Sequence, residues 1–275
     1  MLSLQQLMHF SQKGTSVLDQ EHLEFLMDRA WPAVESEDTG EWVLRASNGV
    51  TQRANSVWPR HAGQTTVQPH ISRSVKEASA WYRKRRLPLI FQIVEDHRTA
   101  ALNAVLDLQG FSRQSETSIM VRGITDLPAD GPGAGVELSA DPSSEWIDVW
   151  WAVDGRGGDA ELAVARRILA GCPAVYALVR DDDGVPAAVG RLALVDGWGG
   201  IYGMATSLHH RRRGYGSQVL SALLRESAAR RLEGLWLLVT QANDGARSLY
   251  ANAGFVDHGS YLYRQAPLTR GPSGC

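Results

Sequence analysis

Seven residues, Arg211-Arg212-Arg213-Gly214-Tyr215-Gly216-Ser217, constrain this chain more than any others. They follow a strand-like run, 201–207, and lead into a helix-like run, 218–231. A strand that turns through glycines into a helix presents unpaired backbone N–H groups and the positive end of the helix dipole to an anion. Glycine lets a phosphate come close to the main chain, and neighbouring arginines add fixed positive charge. The plainer alternative is a basic turn that only caps a helix. Two nucleotide motifs are excluded. A P-loop needs Lys and then Ser or Thr after its last glycine, whereas Gly216 is followed by Ser217-Gln218. A dinucleotide fingerprint needs a third glycine where this chain has Val219. What remains is Arg-x-x-Gly-x-Gly, carried by Arg211, Gly214 and Gly216.

A second pattern follows. Leu235-Trp236-Leu237-Leu238-Val239 is an unbroken apolar run, as suits a strand buried on both faces. Next come Asn243, Ala246, Leu249-Tyr250 and Gly254-Phe255, in the spacing Asn-x-x-Ala-x-x-Leu-Tyr-x-x-x-Gly-Phe. The two patterns together, in this order and with a buried strand between them, resemble the GNAT acetyltransferase superfamily. The resemblance covers roughly 135–264.

The resemblance implies an α/β (α+β) GNAT fold, a mixed central sheet flanked by helices. It also implies acetyl-coenzyme A as co-substrate without a metal. The activity would be transfer of the acetyl group to an amine, on a small molecule or peptide, by direct attack in a ternary complex. Arg211, Arg212, Arg213, Gly214, Tyr215, Gly216 and Ser217 would then surround the pyrophosphate, chiefly through backbone N–H groups. Met204 and Thr206 would pair with the pantetheine arm through their backbone, and the Met204 N–H would face the developing oxyanion. Asn243 matches a residue that hydrogen-bonds the cofactor arm, and it equally suits a helix N-cap. Tyr250 would be the general acid for the departing thiolate, or else a packed core tyrosine.

No base is evident. Many members of the superfamily carry a Glu where this chain reads Gly199-Gly200-Ile201. Tyr202, His209, Glu145 and Asp148 are substitutes, and loss of the proton to solvent is another route. Glu145, Trp146, Trp150 and Tyr202 are the candidate acceptor-binding residues. With Trp151, the two other tryptophans line one helix and form either an aromatic wall for a cationic or aromatic acceptor or ordinary core.

The chain length suggests two domains. The expected division is a GNAT-like α/β half without a cofactor loop at 1–124, a Pro/Gly/Asp-rich linker at 125–133, the catalytic domain at 134–266 and a disordered tail at 267–275. The first half earns that reading from one parallel: apolar strand, helix and Gly110-Phe111 mirror the run ending in Gly254-Phe255, with Leu106 standing where Tyr250 stands. Runs 41–46 and 50–58 alternate like two strands around Ser47-Asn48-Gly49, and 118–122 reads as a strand closing that half.

The charge balance, 28 basic against 30 acidic residues, implies no bulk attraction to nucleic acid. The basic run Arg83-Lys84-Arg85-Arg86 reads as the solvated end of a helix. Two cysteines supply neither a disulfide framework nor metal spacing. With no secretory signal and no long apolar run, a cytoplasmic protein away from membranes is the expectation. The oligomeric state is open. Two other readings stand beside the transferase: a tandem enzyme laid out like mycothiol synthase, and a sensor that binds acyl-coenzyme A without turnover.

Overall fold

The computed structural model describes residues 18–61, 67–124 and 135–267. The expected linker, and the expected tail after Pro267, lie outside the described residues. The elements run α1 (Gln20–Ala30), β1 (Glu35–Asp38), β2 (Val43–Ala46), α2 (Gln68–Lys84), β3 (Ile90–Val94), α3 (Ala100–Leu108), β4 (Ser112–Gly123), β5 (Val136–Ser139), α4 (Ser144–Asp154), α5 (Asp159–Ala170), β6 (Ala174–Arg180), β7 (Pro186–Val195), β8 (Trp198–Thr206), α6 (Tyr215–Ala229), β9 (Gly234–Thr240), α7 (Asp244–Asn252) and β10 (Val256–Gln265).

One mixed sheet of eight strands forms the body, in the order β3-β10-β4-β9-β8-β7-β6-β5, and β1 pairs with β2 in a separate ribbon. Every neighbour in the large sheet is antiparallel except β8 and β9, which are parallel. Side-chain alternation sends Ile90, Ile119, Trp236 and Tyr202 to a core beneath α1, α4 and α5. The opposite face splits into two cores. Phe91 and Ile93 pack with α2 and α3, while Met120, Leu235, Leu237 and Ile201 pack with α6 and Tyr250.

The expectation of a GNAT-like domain preceding the catalytic one meets a different arrangement, and among the described residues no second, preceding domain of that kind is evident. Strand β4 does not close a sheet of its own. It lies between β9 and β10, and β10 in turn lies between β3 and β4. The two turns that suggested a repeat do share their geometry. Gly110 and Gly254 both take positive φ, and the N–H groups of Phe111 and Phe255 donate to the carbonyls of Leu106 and Tyr250, each at 3.0 Å. The strand–helix–strand units on either side are interleaved in one sheet, so their apolar faces are shared and neither buries its own core alone.

A second difference lies at 50–58, which is no strand. Asn55, buried, reaches back along the chain. Its side chain accepts from the N–H of Ser47 (2.8 Å) and Gly49 (2.9 Å) and donates to the carbonyls of Val50 (2.7 Å) and Thr51 (2.8 Å). These bonds satisfy a curled backbone that would otherwise need a ladder. The segment forms a single 3-10 turn, Arg53–Asn55, touching neighbours through the bridges Val43↔Trp58 and Val57↔Phe91.

Arg191 on β7 is fully buried and ties α1 and α5 to the sheet. It donates to the carbonyl of Ala30 at 3.1 Å, at the C-terminus of α1, and to those of Leu169 (3.4 Å) and Cys172 (3.1 Å) at the end of α5. Helix C-termini carry unpaired carbonyls and partial negative charge, so a guanidinium serves both. Arg191→Met is expected to lower the unfolding free energy by about 3 kcal/mol, because several buried carbonyls lose their donors at once. Urea unfolding measures this, and a loss below about 0.5 kcal/mol would show that the carbonyls find other partners.

Candidate active site

The parallel contact between β8 and β9 is short. Gly199, Gly200 and Ile201 pair with Leu235, Trp236 and Leu237, and beyond them the two strands continue unpaired. A cavity of about 420 Å³ occupies the gap. Tyr202 and Trp150 on its wall belong to the core of one sheet face, Tyr250 to the core of the other, with Met204 packed against it. The cleft therefore passes through the sheet.

Glycines shape the splay. In the register of β7 with β8, Arg191 faces Tyr202 and Val189 faces Ala205, so Gly190 alone opposes both Gly203 and Met204. This is a β-bulge, and Gly203 takes the positive φ (57°) that a bulge of this kind requires. A side chain at Gly190 would overlap Met204 Sδ at 2.6 Å. Behind the bulge, the Trp146 indole donates to the Gly190 carbonyl at 3.1 Å, and Trp146 is 1 % exposed. Trp146 thus braces the bulge and does not line the cleft. Trp150 does line it.

Gly200 accounts for the missing carboxylate. A Cβ there would meet the rings of Trp236 and Tyr202, each at 2.6 Å. The Trp236 indole donates to the Tyr202 hydroxyl at 3.1 Å, and Trp31 stacks on the Tyr202 ring at 5.6 Å. Aromatic packing fills the space that a side chain at this position would enter.

Of the other residues expected at the site, Met204, Asn243 and Tyr250 come together in the cleft. Asn243 also caps α7, accepting from the Ala246 N–H at 3.1 Å, as the N-cap reading expected. Tyr250 is nearly buried, and burial followed by the charge of Asp154 pushes its phenol up to about 12. Glu145 lies elsewhere. It is exposed and ion-paired to Arg180 at 2.6 Å, which holds its carboxyl below the usual range. His209 and Asp148 are exposed and do not line the cleft.

The glycine-rich loop joins the end of β8 to α6. Gly214 is the N-cap in the left-handed region (φ 86°), with no acidic residue in the first turn, so no side chain caps the opening N–H groups of α6. Gly216 sits against Thr206, whose Oγ1 would lie 3.4 Å from an added Cβ. Arg211, Arg212 and Arg213 are exposed, and Arg211 Nε donates to the Thr206 carbonyl at 3.4 Å. His210 holds the turn in place. Its Nδ1 lies 2.5 Å from Ser207 Oγ and its Nε2 lies 2.8 Å from the Asp181 carboxylate, while Tyr215 packs edge-on against its ring. Bare glycine backbone, a helix N-terminus and flanking cations fit a diphosphate.

Two site residues escaped the sequence reading. Asp154 ends α4 and lines the cleft. Its residue surface is substantially exposed, yet desolvation raises its carboxyl above the usual range, opposed by a hydrogen bond from Trp150 and by the charges of Arg156 and Arg211. The only signal for it in sequence was an acid one turn after Trp150. Arg53 also lines the cleft, from the loop that alternation had suggested was a strand. Among the described residues there is no group of three His, Cys, Asp or Glu side chains placed to hold a metal, and no helix is long and apolar enough to cross a membrane.

Comparison with known proteins identifies the family. The chain is 27% identical over 244 residues to the uncharacterized N-acetyltransferase YobR of Bacillus subtilis, covering 88% of this chain and 96% of that one. It is 30% identical over 128 residues to the probable histone acetyltransferase Rv0428c of Mycobacterium tuberculosis, covering 46% of this chain and 37% of that one. The fold matches a GCN5-related N-acetyltransferase from Kribbella flavida with a TM-score of 0.67 at 19% identity, over 90% of this chain and 95% of the other. The model of the family described as "Probable histone acetyltransferase Rv0428c C-terminal" matches residues 19–264, so the chain belongs to that family of the GNAT superfamily and is an acetyl-CoA-dependent N-acetyltransferase.

Proposed function

We propose that the cleft between β8 and β9 transfers an acetyl group from acetyl-coenzyme A to an amine by direct attack in a ternary complex. The observation that carries this reading is the meeting, in one cavity, of the Gly203-Met204 bulge, Asn243, Tyr250 and Asp154. Acetyl-coenzyme A, when bound, supplies the thioester whose carbonyl carbon gains the C–N bond as its C–S bond breaks.

The loop from Arg211 to Ser217 holds the diphosphate through the N–H groups of Arg213, Gly214, Gly216 and Ser217. The backbone of Met204 and Thr206, freed from its partner strand by the splay, receives the extended arm as an added strand would be received. The Met204 N–H, at the bulge, stabilises charge developing on the carbonyl oxygen. Asp154 takes the proton that the amine must lose, and desolvation suits it to that task by raising its basicity.

Tyr250 keeps its proton throughout. A thiol of ordinary acidity has a pKa of about 8.5, so full transfer from a phenol at about 12 would be uphill by about 5 kcal/mol. Tyr250 therefore donates a hydrogen bond to the departing sulfur, and the thiolate is released to solvent. Trp150, Tyr202 and the loop carrying Arg53 form the acceptor side, so the segment before residue 124 acts as a wall of the site. An enzyme of a single sheet needs no tandem layout of the mycothiol-synthase kind, and Asp154 supplies the base whose absence favoured a non-catalytic sensor.

Tyr250→Phe is expected to lower kcat about tenfold or more while coenzyme A affinity stays within about twofold; equal losses in both would reduce Tyr250 to packing. Because the phenol ionises only near 12, the alkaline side of the wild-type pH–rate profile should show no Tyr250-dependent fall below about pH 10. Asp154→Asn is expected to lower kcat by about 100-fold, since it removes the proton acceptor; unchanged turnover across the pH range would overturn that role. Gly216→Val puts a branched side chain into the cradle beside Thr206 and should weaken coenzyme A binding at least about tenfold by calorimetry. An unchanged affinity would move the diphosphate elsewhere.

A further inference from the structure

Resting on the acetyl-transfer reading above, we propose that the acceptor is a small amine that carries a carboxylate, and that Arg53 binds this carboxylate. Arg53 lies in the 3-10 turn between β2 and α2 and lines the active-site cleft. Its Nη2 donates to the Tyr261 hydroxyl at 3.0 Å, and its guanidinium carbon stands 5.3 Å from the centre of the Tyr202 ring. Its Nε is buried and has no hydrogen-bond partner. Among the described residues, no carboxylate pairs with it.

Arg53, half-buried at the cleft, is placed differently from the fully buried arginines. Arg45 pairs with Asp28 at 2.8 Å. Arg264 pairs with Asp107 at 2.5 Å. Arg191 is satisfied by three backbone carbonyls. Arg53 has phenol rings around it and an open cleft before it. A partly desolvated cation without a counter-charge is costly, and the cost falls when a ligand brings the opposite charge. Nε is enclosed by protein, so the planar guanidinium meets a carboxylate from the cleft through the N–H groups of its Nη atoms. One fixed positive charge among neutral hydroxyl groups matches one negative charge. A dianionic phosphate calls for a second cation that this part of the cleft does not offer.

Position supplies the rest. Tyr202, against which Arg53 rests, immediately precedes the Gly203-Met204 bulge where the amine is acetylated. Both positions line the same cavity of about 420 Å³, so a carboxylate held at Arg53 and an amine held at the bulge belong to one small molecule. An amino acid or a similar amino carboxylate has this shape. Arg53 is a specificity residue here, and it takes no part in bond making.

The test uses the full chain, acetyl-coenzyme A and a thiol-release assay on matched acceptors: glycine with glycinamide, γ-aminobutyrate with butylamine, and phosphoethanolamine as a phosphate-bearing amine. The carboxylate-bearing member of at least one pair should show a kcat/KM at least about tenfold higher, and Arg53→Met should bring that ratio to about one. Arg53→Lys, which keeps the charge but not the planar fork, should retain part of the preference. Coenzyme A affinity, measured by calorimetry, should stay within about twofold in both variants, which separates lost recognition from lost folding. Equal use of both members of every pair, a preference that survives in Arg53→Met, or a preference for phosphoethanolamine would each overturn the proposal. Should coenzyme A bind while no amine releases thiol, the transfer reading fails on its own. Calorimetry of the coenzyme A-loaded protein with the same amino carboxylates then decides for Arg53: heat in the wild type that Arg53→Met abolishes supports the carboxylate site, and no heat at millimolar concentration overturns it.

Discussion

Strand β4 hydrogen-bonds to β9 along one edge and to β10 along the other, and the rest of the molecule follows from that placement. Because β10 pairs with β4 and β3, the residues before 124 complete the sheet on which Tyr250 and the bulge are mounted. Removing the first half would leave β9 with an unpaired edge and β10 with no partner, a costly exposure of backbone polar groups. The same insertion brings the turn at Arg53–Asn55 beside β10, where Arg53 reaches Tyr261 and faces the cleft. The wall of the cleft that carries Arg53 is therefore a product of interleaving.

The site itself is built from the absence of side chains as much as from their presence. Gly190 leaves room for Met204, Gly203 supplies the bulge, and Gly200 yields its space to Trp236 and Tyr202. Around these points large rings fix the backbone: Trp146 holds the Gly190 carbonyl, and Trp31 and Trp236 hold Tyr202 from two sides. Rigid packing around a strand that cannot complete its ladder preserves a gap through the sheet. Burial raises the Tyr250 phenol, and partial desolvation raises the more exposed Asp154 carboxyl.

Much of the second half was legible in order along the chain. The glycine loop, the apolar run at Leu235, and the Asn243-to-Phe255 pattern lie where local rules place them, because each is set by neighbours within one or two turns. The readings that went astray involved distant partners. Alternation at 50–58 resembled a strand, but Asn55 satisfies that backbone from within, and this depends on side-chain reach that polarity patterns do not encode. Residues 118–122 were recognisable as a strand, yet nothing local says that the strand's neighbours are β9 and β10. Trp146 and Trp150 stand one turn apart on α4; only packing sends one behind the bulge and the other to the cleft wall.

By itself, the sequence determined the class of fold, the loop that suits a diphosphate, and the candidate phenol, since these reside in short contiguous patterns whose geometry is locally enforced. Tertiary structure decided that there is one sheet, that Gly200 excludes a carboxylate while Asp154 lines the cleft, and that Arg53 stands before it without a counter-charge. The physical reason is the range of the interactions. Backbone conformation answers to neighbours along the chain, whereas strand pairing, desolvation and the pairing of buried charges answer to neighbours in space.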